Sequence, residues 1–375
     1  MGNSSKSALR WCTQCLSMST RPRIKFDDRG WCNACLWAEK KKTLDWNARG
    51  KELESLLAKH RRTDGRFDCL TPVSGGKDGS YVSYSLKHKC GMNPLAVTIT
   101  PALPLTLGDE NLRSFVRSGY NHISINPDYS AMRLLNRTGF IEIGFPYYGW
   151  LISMQAACVR MAAVFGIGLI FYGEDGEVEY GGSTETDKNP IYDVTYMKRI
   201  YLEGGYDRVL RQSGLSKQEL NFFEFPAEAE LTVHKINITH WSYFENWDPY
   251  RNYLVAKEHC GLQEAKGSNA GTFTNFAQND QALYALHTYI MYLKFGFGRA
   301  NQDACIEVRR GAMDREQAVN LVRLYDGQYP DQFMDLYLDY YRMSSAEFEA
   351  VLDKWANKEL FEKINGRWKP LFTVV

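Results

Sequence analysis

The sequence predicts an α/β protein, a parallel-sheet domain with a cysteine-rich metal module before it and a helical region after it. Three observations lead there. From Arg66 to about Gly181 short apolar runs alternate with helix-like segments, the pattern of βαβ units around a parallel sheet. Near the start two C-x-x-C hooks, Cys12 with Cys15 and Cys32 with Cys35, stand sixteen residues apart. Beyond Trp247 apolar residues recur at helical spacing. The expected boundaries are a metal module over 1–38, a linker helix over 39–65, the sheet domain over 66–246 and a helical region over 247–375.

Each hook supplies two thiolates from one tight turn, so the pair can close a tetrahedral Cys₄ zinc site with Zn²⁺ held by Cys12, Cys15, Cys32 and Cys35. Four thiolates leave no open position, which makes the expected metal structural. The other cysteines, Cys69, Cys90, Cys158, Cys260 and Cys305, lack metal spacing and read as buried thiols. Leu36 to His60 reads as helical, and its Lys40-Lys41-Lys42 run as a solvated face.

Composition bounds the function. The chain has 375 residues, 44% hydrophobic and 24% charged, as in a soluble globular protein. Lys plus Arg number 45 against 44 Asp plus Glu, so no strongly basic surface points to nucleic acid. The polar start, Met1 to Arg10, lacks the apolar core of a signal peptide. The longest apolar reach, Leu151 to Tyr172, is broken by Gln155, Arg160 and Gly166-Ile167-Gly168, and reads as a buried helix followed by a strand. A cytoplasmic protein with no membrane insertion and no nucleic-acid partner is expected.

Within the sheet domain the expected strands are Phe67 to Val73, Pro94 to Thr100, His122 to Ile125 and Gly168 to Tyr172. The expected helices are Gly79 to Lys89, Asp109 to Gly119, Tyr129 to Thr138 and Tyr148 to Phe165. Between the first strand and the first helix lies Ser74-Gly75-Gly76-Lys77-Asp78-Gly79-Ser80. A strand, a glycine pair and a helix N-terminus set backbone N–H groups in a concave array suited to phosphate. Its order matches neither the G-x-x-x-x-G-K-[ST] loop nor the G-x-G-x-x-G turn. Ligands of open parallel sheets collect at the carboxyl ends of strands, so this loop, Thr98 to Thr100 and Tyr172 to Gly176 are expected to face one cleft. Farther on, Asp280 to Lys294 places Leu283, His287, Ile290 and Met291 on one side, with His287 read as a core histidine. Glu347 to Ile364 reads as the last helix.

The Ser74–Ser80 loop resembles the S-G-G-x-D-[SG]-S pyrophosphate loop of the N-type ATP pyrophosphatases, the HUP-like PP-loop superfamily. Gly79 departs from it, where many members carry Ser. With the Cys₄ module, Tyr172-Gly173-Glu174, the block Lys294-Phe295-Gly296-Phe297-Gly298-Arg299-Ala300, and Arg309-Arg310-Gly311, the chain resembles the WbpG- and PseA-like N-acetyl sugar amidotransferase family. The resemblance runs from Cys12 to about Gly327.

This family resemblance implies an ATP-dependent conversion of an acetamido group on a nucleotide-activated sugar into an acetamidino group, in the synthesis of bacterial surface polysaccharide. It implies that Ser74, Gly75, Gly76, Lys77, Asp78, Gly79 and Ser80 cradle pyrophosphate, with Thr98 and Thr100 near adenine. Asp78 either holds Mg²⁺ or caps the following helix. Glu174 either positions metal or amide or is a surface turn carboxylate. Lys294, Arg299, Arg309 and Arg310 are the expected grip on the sugar's diphosphate and carboxylate, because Arg offers a bidentate fork to such groups. No glutaminase stretch is recognised, so ammonia is expected from a HisH-like glutaminase with a HisF-like partner. The rival reading is a tRNA-thiolating PP-loop enzyme, which needs a basic face and usually a reactive cysteine near ATP.

Overall fold

A computed structural model describes residues 9–375; the reading of the polar start falls outside them for residues 1–8. Six strands form the main sheet: β1 (Cys69–Pro72), β2 (Pro94–Ile99), β3 (Asn121–Ile125), β4 (Leu169–Tyr172), β5 (Ile191–Tyr192) and β6 (Asn237–His240). Their order is β3-β2-β1-β4-β6-β5, parallel throughout except for β5, which runs antiparallel to β6. All of β2 is buried, as a central strand covered on both faces requires, whereas the edge strand β3 buries only Ile125. The order turns around at β1, which has β2 on one side and β4 on the other. That switch point opens a crevice at the strands' carboxyl ends, directly after β1 and β4.

The expected helices form with small changes of bounds: α3 (Lys77–Tyr84), α4 (Thr106–Arg117), α5 (Tyr129–Ile143) and α6 (Tyr148–Val164) follow α1 (Asn33–Lys41) and α2 (Trp46–His60). Helix α6 is buried over most of its length, which explains its apolar text, and no helix among the described residues is long and apolar enough to cross a membrane. Asp45 splits the expected Leu36–His60 helix in two. Its carboxylate accepts from the Ala48 amide at 3.0 Å and starts a second helix. The lysine run is no free face either, since Lys41 pairs with Glu179 at 2.7 Å and Lys40 with Asp187 at 2.8 Å.

The expected last helix is shorter than its periodicity suggested. A capping box of Ser344 and Glu347 starts it, and it ends at Trp355. Residues Phe361–Ile364 (β7) and Arg367–Pro370 (β8) then form an antiparallel hairpin. Its turn, Asn365-Gly366, has φ of 49° and 77°, the left-handed geometry that Asn-Gly supplies.

The C-terminal helices share the sheet's apolar core. Leu70, Ile99 and Ile170 from the sheet belong to one buried cluster with Leu286, Ile290, Tyr341 and Phe348. Asn136 on α5 donates to the Tyr340 hydroxyl at 2.9 Å, and Tyr341 donates to the Pro146 carbonyl at 2.6 Å. The metal module builds a second cluster, in which Cys12, Leu16 and Cys35 meet Ala304, Val308, Ala318 and Val322.

Candidate functional site

The chain leaves β1 at Pro72, turns through Ser74, Gly75 and Gly76, and enters α3 with Gly76 at the N-cap. No side chain caps that end, so Asp78 is not a cap and its first-turn amides remain available to an anion. The two glycines differ in purpose. Gly75 has φ of +79°, and a Cβ there would sit 2.4 Å from the Leu112 backbone nitrogen on α4. Gly75 is thus required by the neighbouring helix. At Gly76 a Cβ would meet only the Ser74 hydroxyl, at 3.3 Å. Gly79 is required too, because a Cβ would lie 2.7 Å from the Pro72 carbonyl; α3 here presses on β1 too closely for a serine.

A cavity of about 300 Å³ lies over this turn, lined by Ser74, Gly76, Lys77, Asp78, Glu174 and Arg299 among others. Lys77 is 8% exposed and its ammonium pairs with the Asp78 carboxylate. The other Asp78 oxygen accepts from Asn252 at 3.4 Å. Asn252 stands on the helix Pro249–Cys260, which packs along α3. Glu174 follows β4, and Gly173 before it lets the strand end approach Asp78, whose Cβ would lie 3.1 Å from an added methyl. The helix α7 (Gly176–Tyr180), capped by Asp175, carries Tyr180 back to donate to Glu174 at 2.7 Å. Burial, with the nearby Asp78 charge, pushes the Glu174 carboxyl up to about 6, against the pull of Lys77. Glu174 therefore belongs to the cavity wall and is no surface turn carboxylate.

The opposite wall comes from the C-terminal region. Phe276, Asn279, Asp280 and Tyr284 line it, and Arg299 opens the helix Arg299–Arg310. Arg299 Nε lies 2.8 Å from Asp303, which holds the guanidinium in the cavity wall. Burial pushes Asp280 up to about 6.

Several expected residues lie elsewhere. Ser80 is fully buried, its hydroxyl has no partner, and it does not line the cavity. Thr98 is 4% exposed and donates to the Val73 carbonyl at 2.6 Å, while its hydroxyl also meets His122 at 2.9 Å. The Thr100 amide is bonded to Ile125, and its hydroxyl faces Ser124 at 3.1 Å. Both threonines serve the sheet, being tied between β1, β2 and β3, and neither borders the cavity.

The four expected cations do not share one cavity. Only Arg299 lines the loop cavity. Lys294 donates to the Ile143 carbonyl at 3.0 Å, lies over the Trp355 ring and borders a separate cavity of about 150 Å³. That cavity also holds His287, whose Nδ1 is buried without a partner and whose protonation burial pushes down to about 3. The reading of His287 as a satisfied core histidine is corrected on this point. Arg309 points a guanidinium nitrogen at the Cys15 sulfur, 3.8 Å away, and donates to the Glu179 carbonyl at 3.3 Å. It is a counter-charge for thiolates. Arg310 pairs with Asp248 at 3.1 Å and Glu307 at 2.6 Å.

The four sulfurs of Cys12, Cys15, Cys32 and Cys35 lie within 4.8 Å of one another and all four cysteines are buried. Cys12 to Cys35 and Cys15 to Cys32 are each 3.7 Å. Sulfurs placed tetrahedrally about 2.3 Å from a zinc ion would be separated by about 3.8 Å, so the residues fit that metal. The Cys32 amide donates to the Cys12 sulfur at 3.2 Å, which stabilises thiolate charge. Cys305, without a hook spacing of its own, sits against this cluster and accepts from the Leu16 amide at 3.3 Å.

The strand order and the glycine turn at the switch point define a parallel α/β protein with an anion cradle completed by its C-terminal helices. Residues 270–374 match the family model described as LPS biosynthesis protein WbpG-like, C-terminal domain. The matched segment supplies Phe276, Asp280 and Arg299 to the cavity. An uncharacterized protein, MJ1599, of Methanocaldococcus jannaschii is 30% identical over 89 residues, or 24% of this chain. The chain spans about a third of the length of that curated relative, 32%. A solved structure described as a predicted subunit of tRNA methyltransferase, from Methanocaldococcus jannaschii, aligns over 62% of this chain and 91% of its own. Its TM-score is 0.28 at 16% identity, and the fold described above rests on the strand order alone.

Proposed function

We propose that the protein is an ATP-dependent, AMP-forming amidotransferase that converts an acetamido group of a nucleotide-activated sugar to an acetamidino group, serving lipopolysaccharide O-antigen synthesis in the cytoplasm. The observation that carries this reading is the composition of the loop cavity. One wall is the PP-loop-like turn and the other is the segment that matches the WbpG-like C-terminal domain.

The chemistry fits the residues. An amide carbonyl is a poor electrophile, so its oxygen first attacks the α-phosphorus of ATP and pyrophosphate leaves. Ammonia adds to the carbon of the adenylylated imidate, a proton is lost, and AMP departs. The α3 amides, the Ser74 hydroxyl and Lys77 hold the leaving pyrophosphate, and Arg299 faces it from the other wall. Asp78 and Glu174, the latter raised by burial and by the nearby Asp78 charge, form a donor set that suits Mg²⁺. When bound, the ion would offset phosphate charge. Zn²⁺ in the Cys₄ module would be structural.

Ammonia is assigned to a HisH-like glutaminase acting with a HisF-like partner. The tRNA-thiolating alternative has less support, because among the described residues no cysteine lines the loop cavity. The test is pyrophosphate release from ATP in the presence of ammonium and UDP-linked diacetamido sugar acids, with tRNA as the control acceptor. Release with sugar and ammonium supports the reading; release with tRNA alone overturns it.

A further inference from the structure

A second cavity, of about 280 Å³, lies beside the first. Glu174 lines both. A smaller space lined by Lys77, Phe276 and Arg299 from the first and by Pro249 and Ile306 from the second lies between them. The two cavities are therefore neighbours through one carboxylate.

The second cavity is built partly by the metal module, whose first helix contributes Ala38 and Lys41 and whose next residue is Lys42. Arg309 and Arg310 border it from the helix Arg299–Arg310. Much of its cationic charge is already met, since Lys41 pairs with Glu179 and Arg310 with Asp248. What remains favours an acceptor-rich ligand. Lys42 is exposed and its ammonium makes no ion pair or hydrogen bond among the described residues. Trp247, 4% exposed, lines the cavity, and its indole N–H has no acceptor. Donors left over beside an aromatic ring and an aliphatic patch of Ala38, Pro249 and Ile306 suit a sugar bearing phosphate or carboxylate.

We propose that this second cavity, walled by the metal module, binds the anionic sugar acceptor and presents its amide to ATP across Glu174. The inference rests on the amidotransferase reading of the loop cavity. It makes the Cys₄ module one wall of the acceptor site as well as a structural clip.

The test is calorimetric titration of the zinc-loaded full chain with three separate probes, ATP with magnesium, UDP-N-acetylglucosamine and UDP-glucuronate. Lys42 is exposed, so K42E should keep the fold, and A38W narrows the cavity; zinc content and the thermal midpoint show whether each variant has folded. The expected result is that K42E and A38W each weaken at least one UDP-sugar about tenfold and leave ATP within twofold, while K77A does the reverse. The proposal is overturned if the wild type binds neither UDP-sugar, if both variants bind them unchanged, or if the sugars displace ATP. Failure of ATP to bind the wild type, or to be weakened by K77A, would instead remove the reading of the loop cavity.

Discussion

Tyr180 donates a 2.7 Å hydrogen bond to the Glu174 carboxylate, the one acidic group common to the two larger cavities. The bond favours the charged form of Glu174, while burial and Asp78 oppose it. Activity that needs the carboxylate should rise with pH through about 6. Tyr180→Phe removes this hydrogen bond, so the acidic limb should move to higher pH. A pH–rate profile checks this, and an unmoved limb would show that Glu174 does not govern it.

Lys77→Ala should abolish pyrophosphate release by about a hundredfold or more, since it removes a fixed positive charge facing the departing group. Zinc content and thermal midpoint should stay near those of the wild type. AMP formation at the wild-type rate would mean that the pyrophosphate site lies elsewhere.

Gly75 and Gly76 should separate in stability. Gly75→Ala puts a methyl on a backbone at φ of +79° and 2.4 Å from Leu112, so a loss of about 1–3 kcal/mol in urea unfolding is expected. Gly76→Ala meets only the Ser74 hydroxyl and should cost less stability while impairing turnover. Equal losses would contradict the assignment of Gly75 to helix packing.

Metal analysis should find one zinc ion per chain. Cys35→Ser should release it and lower the thermal midpoint, whereas Cys305→Ser should retain it, because Cys305 touches the cluster without completing it. Loss of zinc from the Cys305 variant would mean that this thiol takes part in ligation.

Lys294→Met should leave ATP affinity and acceptor KM within about twofold, since its ammonium is bound to the Ile143 carbonyl away from both larger cavities. A rise in acceptor KM of tenfold would return Lys294 to the substrate site.

What could be read from the sequence was local in character. The hooks and the Ser74–Ser80 turn carry their chemistry within a few residues, and the strands β1, β2 and β4 are short, mostly apolar runs. The rest depends on partners far away in the chain. Asn252 meets Asp78 across 174 positions, and Glu245 receives the Tyr81 hydroxyl across 164. No periodicity records such pairs. The separation of the expected cations has the same origin, because a cluster of arginines in text spreads around a helix in space: Arg299 reaches the loop cavity while Arg309 turns to Cys15 and borders the second cavity. The strand β6 was hidden for another reason, its Asn237-Ile238-Thr239-His240 being too polar and short to stand out. The hairpin after Trp355 was signalled by Asn365-Gly366, a turn cue that the preceding helical pattern obscured.

The stacking of Phe140 on Tyr341, with Phe348 beside it, sets a condition on biosynthesis. A nascent chain stopped before these rings emerge exposes one apolar side of α5, however complete the sheet strands already are. Interruptions of translation before Tyr341 should therefore give aggregation-prone fragments in place of a folded sheet domain.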